Sequence, residues 1–471
     1  MTPFTLQQLI DAVDGRPVGP MDLLRLVSRI ETDSRRVRSG DLFWCLKGDR
    51  FDGHDFLNDV ADRGAMACVV AEQAPGLPSS LPLPAVQVAD TLAALWDLAR
   101  WDRGRFDPLV IGVTGSVGKT TTRHLIFTVL SRQFVGLQNP GNLNNHIGLP
   151  LSVLGLAKEH EFAVFELGAS RVGEIRELAG IAHPEVGVVT RVAATHLDHF
   201  GSVEDIILAK GELLESLPPS GFAVINGDDA GVGRLAHRFD GRVVHVGEGP
   251  RNDLVATGVQ IEDGAIAFRV DGSEFRLPAI GRHHLNSALL ALGVAREVGM
   301  SDAAIAEGFL RFEAVPGRCR LVTVGEWLVI DDTYNASPAS MKAACDALAS
   351  WKGARKRILV LGDMLCLGEQ SDAFHRELGA VVAAAAIDQL LAFGIQASTL
   401  AAAARSAGMD SGRIAATQDL ATLTMLLDCW LEPGDVVLVK GSRGMQMERV
   451  LEILSALAAQ KAGDGVRRIA A

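Results

Sequence analysis

Six residues, Gly115-Ser116-Val117-Gly118-Lys119-Thr120, have the types and spacing to hold a nucleotide phosphate. Glycines let a backbone turn its N–H groups toward an anion, and a helix N-terminus behind them adds the positive end of its dipole. Lys119 brings a point charge, and the Thr120 hydroxyl can ligate Mg²⁺. Thr114 leads into the loop from an apolar run, Pro108 to Val113, and a helical pattern follows from Thr121 to Phe127. In the commonest phosphate loop a glycine stands five positions before the second one. Val113 occupies that position here, so the loop matches the shorter form with Gly115 three residues before Gly118.

Other polar clusters stand where strands end. Glu166 follows the apolar run Phe162–Phe165, and His196 follows Val186–Thr190. If these strands run parallel to the one before the loop, both groups share its edge, where open α/β sheets bind ligands. A carboxylate and a neutral imidazole beside phosphates suit a divalent cation. Asn142–Pro150 is rich in amides, Asn144 and Asn145 among them, which recognise sugars and peptides without charge. Asp331–Pro338 follows a strand and opens a helix, and it holds the only tyrosine, Tyr334. Lys440-Gly441-Ser442-Arg443 sets two cations at another strand end, fit for a carboxylate.

These groups need a scaffold, and the pattern around them is α/β. Candidate strands Leu109–Val113, Phe162–Phe165, Val186–Thr190 and Phe222–Ile225 alternate with helices such as Ser202–Leu217 and His284–Val298. That alternation predicts a doubly wound, mostly parallel central sheet carrying the phosphate loop. A second series, Leu328–Ile330, Arg357–Leu361, Gln389–Phe393 and Val436–Val439, predicts a Rossmann-like α/β domain at the C-terminus. The first segment predicts a small α/β domain, with a strand over Asp41–Leu46, a helix over Phe56–Arg63 and a strand over Ala67–Val70. Four prolines between Pro75 and Pro84 mark a loop, and a helix over Thr91–Arg103 leads onward. The expected domains are 1–88, 89–314 and 315–471, as the length of 471 residues also implies.

Composition narrows the function. A net charge of −12 argues against nucleic acid as the main partner. None of the six cysteines has C-x-x-C spacing, so buried thiols in a reducing cytoplasm are expected rather than a disulfide or zinc framework. The N-terminus lacks a basic region followed by an apolar one, and Val381–Ala404 is broken by Asp388, Gln389 and Gln396. Neither a signal peptide nor membrane insertion is expected.

Taken in order, these motifs resemble the Mur ligases, the ATP-dependent amide-forming enzymes of peptidoglycan synthesis. The resemblance runs along nearly the whole chain. It is carried by Asp33-Ser34-Arg35 with Gly40–Phe43, Asp52–Phe56, the loop, Asn142–Pro150, Glu166–Ser170, His196-Leu197-Asp198 and Ala209-Lys210-Gly211-Glu212. Pro316-Gly317-Arg318, Asp331–Pro338, Leu361–Leu365 and Lys440–Arg443 complete it. It implies a bacterial cytoplasmic enzyme, expected as a monomer, that adds D-alanyl-D-alanine to UDP-N-acetylmuramoyl-tripeptide. Lys119 and the loop would bind ATP, and Thr120, Glu166 and His196 would hold Mg²⁺. Lys210 matches the family's carbamylated lysine. Asn286 would meet the adenine, and Arg318 and Asp332 the nucleotide. Ser34 and Arg35 would face the UDP end. Asn144, Asn145, Ser170, Tyr334, Asn335, Asp363, Lys440, Ser442 and Arg443 would line the substrate site. For Arg318 and Asp332 to reach the nucleotide, the last domain must close on the middle one at Pro316-Gly317. Ser337, Leu285, Cys366 and Asp198 depart from the residues common in the family. A sister ligase adding one amino acid, a folylpolyglutamate synthase and a P-loop switch ATPase remain as alternatives.

Overall fold

The structure, a computed structural model, describes the backbone of residues 1–48, 50–74, 81–193 and 197–469. His196 and residues 75–80 of the proline-rich loop lie outside the described residues.

The central sheet has seven strands, all parallel, and the strand Leu109–Thr114 stands inside it between Val186–Val189 and Phe162–Glu166. Its inner strands are mostly apolar because both faces are covered. Successive residues serve opposite cores: Ile111, Val113 and Val164 face one, Val110, Ala163 and Phe165 the other. From Leu109–Thr114 the chain moves to one side of the sheet, to Gly136–Gln138 and then Phe162–Glu166, before crossing to the other side. The phosphate loop therefore opens at a topological switch point.

The last sheet has six strands in the order Arg320–Val324, Trp327–Asp332, Val436–Lys440, Arg357–Gly362, Gln389–Phe393, Ile414–Thr417. All but the first pairing are parallel. The late strand Val436–Lys440 inserts between two earlier ones, so Asp332 and Lys440 come level. The first sheet has five strands, with Ala85–Val88, Ala67–Ala71, Leu42–Trp44 and Ile30–Glu31 parallel and Arg16–Val18 antiparallel at one edge.

The expected strands and helices stand where the apolar periodicity placed them, most within two residues. The helix Thr91–Arg103 packs on both the first and the middle units, and one core joins Leu9 and Trp44 to Leu149 and Phe165. An antiparallel three-stranded sheet, Thr257–Glu262, Ala265–Val270 and Ser273–Leu277, was not foreseen. Its first strand carries mainly polar or small residues and is largely exposed, so it lacks an apolar signal. At the turn after that strand, Asp263 accepts the N–H groups of Lys352 and Gly353 from the last unit, at 2.9 and 2.7 Å.

Candidate active site

The loop begins where Leu109–Thr114 ends. Gly115 has φ 144°, and a Cβ there would lie 2.1 Å from the Thr190 hydroxyl. Gly118 has φ 90° and caps the helix Lys119–Leu130. Both positions need glycine, one for close approach and one for the left-handed turn. The neighbouring strand end buttresses the loop. The Thr190 hydroxyl donates to the Val117 carbonyl at 2.7 Å, Ser116 N–H donates to Arg191 O at 2.7 Å, and the Ser116 hydroxyl to Ala193 O at 3.0 Å. Thr114 is tied inward, its hydroxyl donating to Leu167 O at 2.9 Å.

The Lys119 ammonium rests on its own loop, donating to Gly115 O at 2.8 Å and Ser116 O at 3.4 Å. Burial lowers its pKa, and the nearby Glu166 charge opposes that. Glu166 is 2 % exposed. Its Oε1 accepts from Asn144 Nδ2 at 2.7 Å, and its Oε2, also buried, has no hydrogen-bond donor. A buried carboxylate oxygen without a donor is costly unless a cation meets it. The residues present thus fit a divalent cation at this edge. Among the described residues no three His, Cys, Asp or Glu side chains converge on one. A cation here would draw most ligands from phosphate oxygens and water, as Mg²⁺ commonly does.

Lys210 lies on the helix Val203–Glu215 and is 2 % exposed. Burial, reinforced by the charge of Lys119 and opposed by Glu174 and Glu212, pushes its pKa down to about 7. Glu212 docks this helix by accepting Gly173 N–H at 2.6 Å and Arg176 N–H at 3.0 Å. Ser170 stays local, its N–H and hydroxyl both donating to Glu174. Asn145 caps the next helix, accepting from Ile147 and Gly148 N–H. Asn286 donates to Thr190 O at 3.2 Å, and its buried Oδ1 has no donor.

Across the cleft, Arg318 of the last unit donates from Nη2 toward the Thr120 hydroxyl at 3.5 Å. Its guanidinium lies over the Tyr334 ring, 4.0 Å from the centroid, with Arg443 at 5.9 Å. Lys440 donates to Asp332 at 2.6 Å, a buried bond, and to Asn335 O at 2.9 Å. The residues assigned separately to nucleotide and dipeptide therefore form one ion pair. Asp363 accepts from Ile395 and Gln396 N–H, and burial raises its pKa despite those bonds. The Ser442 hydroxyl accepts from Leu365 N–H at 2.9 Å, and Arg443 pairs with Glu448. Ser337, one of the departures, caps the helix Pro338–Ala349 through its hydroxyl and costs the fold nothing. In the first unit Arg35 is exposed and pairs with Asp33, holding that carboxyl down at about 2. The spacing of motifs did not point to Asn139, Thr190 or Arg123. A polar residue at the end of Gly136–Gln138 was the available signal for Asn139.

The expected hinge glycine is held firmly. Gly317 has φ 76°, its N–H donates to Asp331 at 2.8 Å, and a Cβ would meet that of Tyr334 at 2.9 Å. Gly317→Ala is expected to lose about 1–2 kcal/mol from the left-handed backbone alone, plus the clash. Thermal unfolding should show a lower midpoint, and ATP should bind more weakly as Arg318 is displaced. An unchanged midpoint and ATP affinity would mean that this step is not constrained.

A phosphate loop at the switch point of one sheet, reached by an arginine from a second Rossmann-like sheet, defines a nucleotide-dependent enzyme that works between two α/β units. The chain matches the families described as Mur ligase family, catalytic domain (residues 26–100), Mur ligase middle domain (113–295) and Mur ligase, glutamate ligase domain (317–443). It is 36 % identical to the UDP-N-acetylmuramoyl-tripeptide–D-alanyl-D-alanine ligase of Escherichia coli, over 96 % of this chain and 99 % of that one. It superposes on MurF from Acinetobacter baumannii with a TM-score of 0.87 at 32 % identity, covering 97 % and 99 % of the two chains. For the MurF ligase of Thermotoga maritima in complex with ADP the TM-score is 0.80 at 31 % identity, over 92 % and 98 %. The chain belongs to the Mur ligase family. No helix among its described residues is long and apolar enough to cross a membrane.

Proposed function

We propose that this chain is an ATP-dependent ligase that joins the terminal carboxylate of UDP-N-acetylmuramoyl-tripeptide to the amine of D-alanyl-D-alanine, in the cytoplasm and as a monomer. The observation that carries this is the loop of the middle sheet reached at Thr120 by Arg318 of the last unit, which also holds the Asp332–Lys440 pair. It stands in a chain similar over its full length to ligases of that name. The working units are 1–88 for the UDP end, 89–314 for ATP and 315–471 for the dipeptide. Ser34 and Arg35 belong to the first of these.

A carboxylate oxygen is a poor leaving group and must be activated. The tripeptide carboxylate attacks the γ-phosphorus of ATP, giving an acyl phosphate and ADP. The dipeptide amine then attacks the acyl carbon, the C–N bond forms, phosphate leaves and the amine gives up a proton. Lys119 and the loop N–H groups hold the transferring phosphoryl group and offset the charge that spreads over it. Thr120 and Glu166, with His196 and a carbamylated Lys210, would hold Mg²⁺. The ion, when bound, would neutralise phosphate charge. The unpartnered Asn286 Oδ1 is an acceptor suited to the adenine amino group. Arg318 bridges from Tyr334 to Thr120, where it can help to shield the acyl phosphate from water. Asn144 keeps Glu166 turned to the site. Near Asp363, Ser442 and Arg443, the last sheet's edge offers polar groups to the dipeptide.

Mass spectrometry of products from ATP, the UDP-muramoyl-tripeptide and D-alanyl-D-alanine tests the reading. The expected product is the UDP-muramoyl-pentapeptide with one ADP and one phosphate. A product formed from a single amino acid, or ATP hydrolysis that needs neither carbon substrate, would overturn it.

A further inference from the structure

Arg123 is a buried cation that none of these roles uses. It sits one helical turn beyond Lys119, so the two share a face of the helix Lys119–Leu130. Its side chain is 4 % exposed, and Nη1 lies 3.8 Å from the unpartnered Oε2 of Glu166. The same nitrogen donates to Gly141 O at 3.0 Å and reaches Asn139 Oδ1 at 3.4 Å, while Nε has no acceptor. Asn139 in turn brackets Glu166, taking its N–H at 2.9 Å and donating to its carbonyl at 3.2 Å. The carboxylate of Glu166 thus lies in the field of two cations, the half-buried Lys119 and the buried Arg123.

We propose that Arg123 is a positioning residue that supplies the counter-charge for Glu166, so that Lys119 is left free for the nucleotide phosphates. This rests on the assignment of Lys119 and Glu166 to the ATP and cation site. Without Arg123, Lys119 is the cation among the described residues whose charge still acts on Glu166. In a low-dielectric site two opposite charges close on each other, because neither has water to turn to. A collapsed Lys119–Glu166 pair would take the ammonium from the phosphates and the carboxylate from the cation together. Arg123 prevents this from beside the carboxylate oxygen Oε2, anchored through Asn139 and Gly141.

Two roles for Arg123 make opposite forecasts. As a counter-charge, it is replaceable by lysine and not by methionine. As a tether for Gly141 and Asn139, it needs the guanidinium fork, which lysine lacks. The experiment is calorimetric binding of a non-hydrolysable ATP analogue, with EDTA and again with Mn²⁺, and Mn²⁺ binding by electron paramagnetic resonance. Arg123→Met is expected to weaken analogue binding about tenfold or more in both conditions and to weaken Mn²⁺ binding. Arg123→Lys should stay within about threefold of wild type. In Arg123→Met/Glu166→Gln, analogue affinity in EDTA should recover, because no carboxylate remains to capture Lys119. That double variant also keeps the test open if Arg123→Met does not fold. Equal losses for lysine and methionine, or no recovery in the double variant, would overturn the inference. Lys119→Ala and Glu166→Gln serve as controls. If neither weakens binding on its own, the assignment of the site fails instead.

Discussion

Lys119→Ala is expected to abolish ligation, with the far-UV circular dichroism spectrum unchanged. The ammonium is the one charged side chain of the loop itself. Removing a single preorganised group that stabilises transition-state charge costs about 3 kcal/mol or more, which is a hundredfold or greater loss of rate. In the free protein the same ammonium, half-buried, rests on the carbonyls of Gly115 and Ser116. Those two neutral bonds do not fully replace water around a cation, and desolvation lowers its pKa. The substitution is therefore expected to leave the thermal midpoint equal to or above that of the native chain, a common pattern where function requires an unfavourable buried charge. Steady-state ligation rates with thermal melts check both halves. A variant that keeps more than about a tenth of the native rate would remove Lys119 from the mechanism.

The second large effect belongs to Lys210. Lys210→Ala is expected to be inactive and to regain part of its rate with added acetate or another short carboxylic acid. With its pKa pushed down to about 7, roughly half of this lysine is a neutral amine at neutral pH. A neutral amine can add CO₂; the N–C bond forms, the nitrogen releases one proton, and the neutral amine becomes a carbamate anion. That change would suit the proposed cation site, since an ammonium there would repel Mg²⁺. The sign of the pH dependence follows. Below pH 7 the lysine is increasingly charged and cannot add CO₂, so activity at limiting bicarbonate should fall as pH drops through about 7. Saturating bicarbonate should shift that fall to lower pH. Rates across pH at two bicarbonate levels, with ¹³C labelling of the lysine, measure this. An active Lys210→Ala enzyme in bicarbonate-free buffer would dismiss the carbamate.

Four inner strands of the central sheet and four of the last were legible because they are covered on both faces and so mostly apolar, while partly exposed strands such as Gly136–Gln138 and Arg320–Val324 were not. Leu109–Thr114 and Gln389–Phe393 stand where the runs of apolar residues are. The exposed hairpins of 257–277 and the short helix Leu6–Ala12 were not, since a few alternating residues carry little periodic signal. Some proposed site residues turned out to satisfy their own backbone. Asn145 caps a helix and Ser170 binds Glu174, four residues away, as short polar side chains commonly do.

By itself the sequence determined the chemistry available and most of the elements that carry it. A glycine loop between an apolar strand and a helix is a local pattern, read within a dozen residues. Only the tertiary structure decided which distant groups meet. Lys440 reaches Asp332 across 108 residues because a late strand inserts between two earlier ones. Arg318 reaches Thr120 across 198 residues because two sheets face each other over a cleft. Arg123 looked like one more cation on a helix until strand pairing brought Glu166 beside it. Strand order and the docking of units depend on the burial of whole faces against each other. Local periodicity shows which faces are apolar and not which partner each one finds.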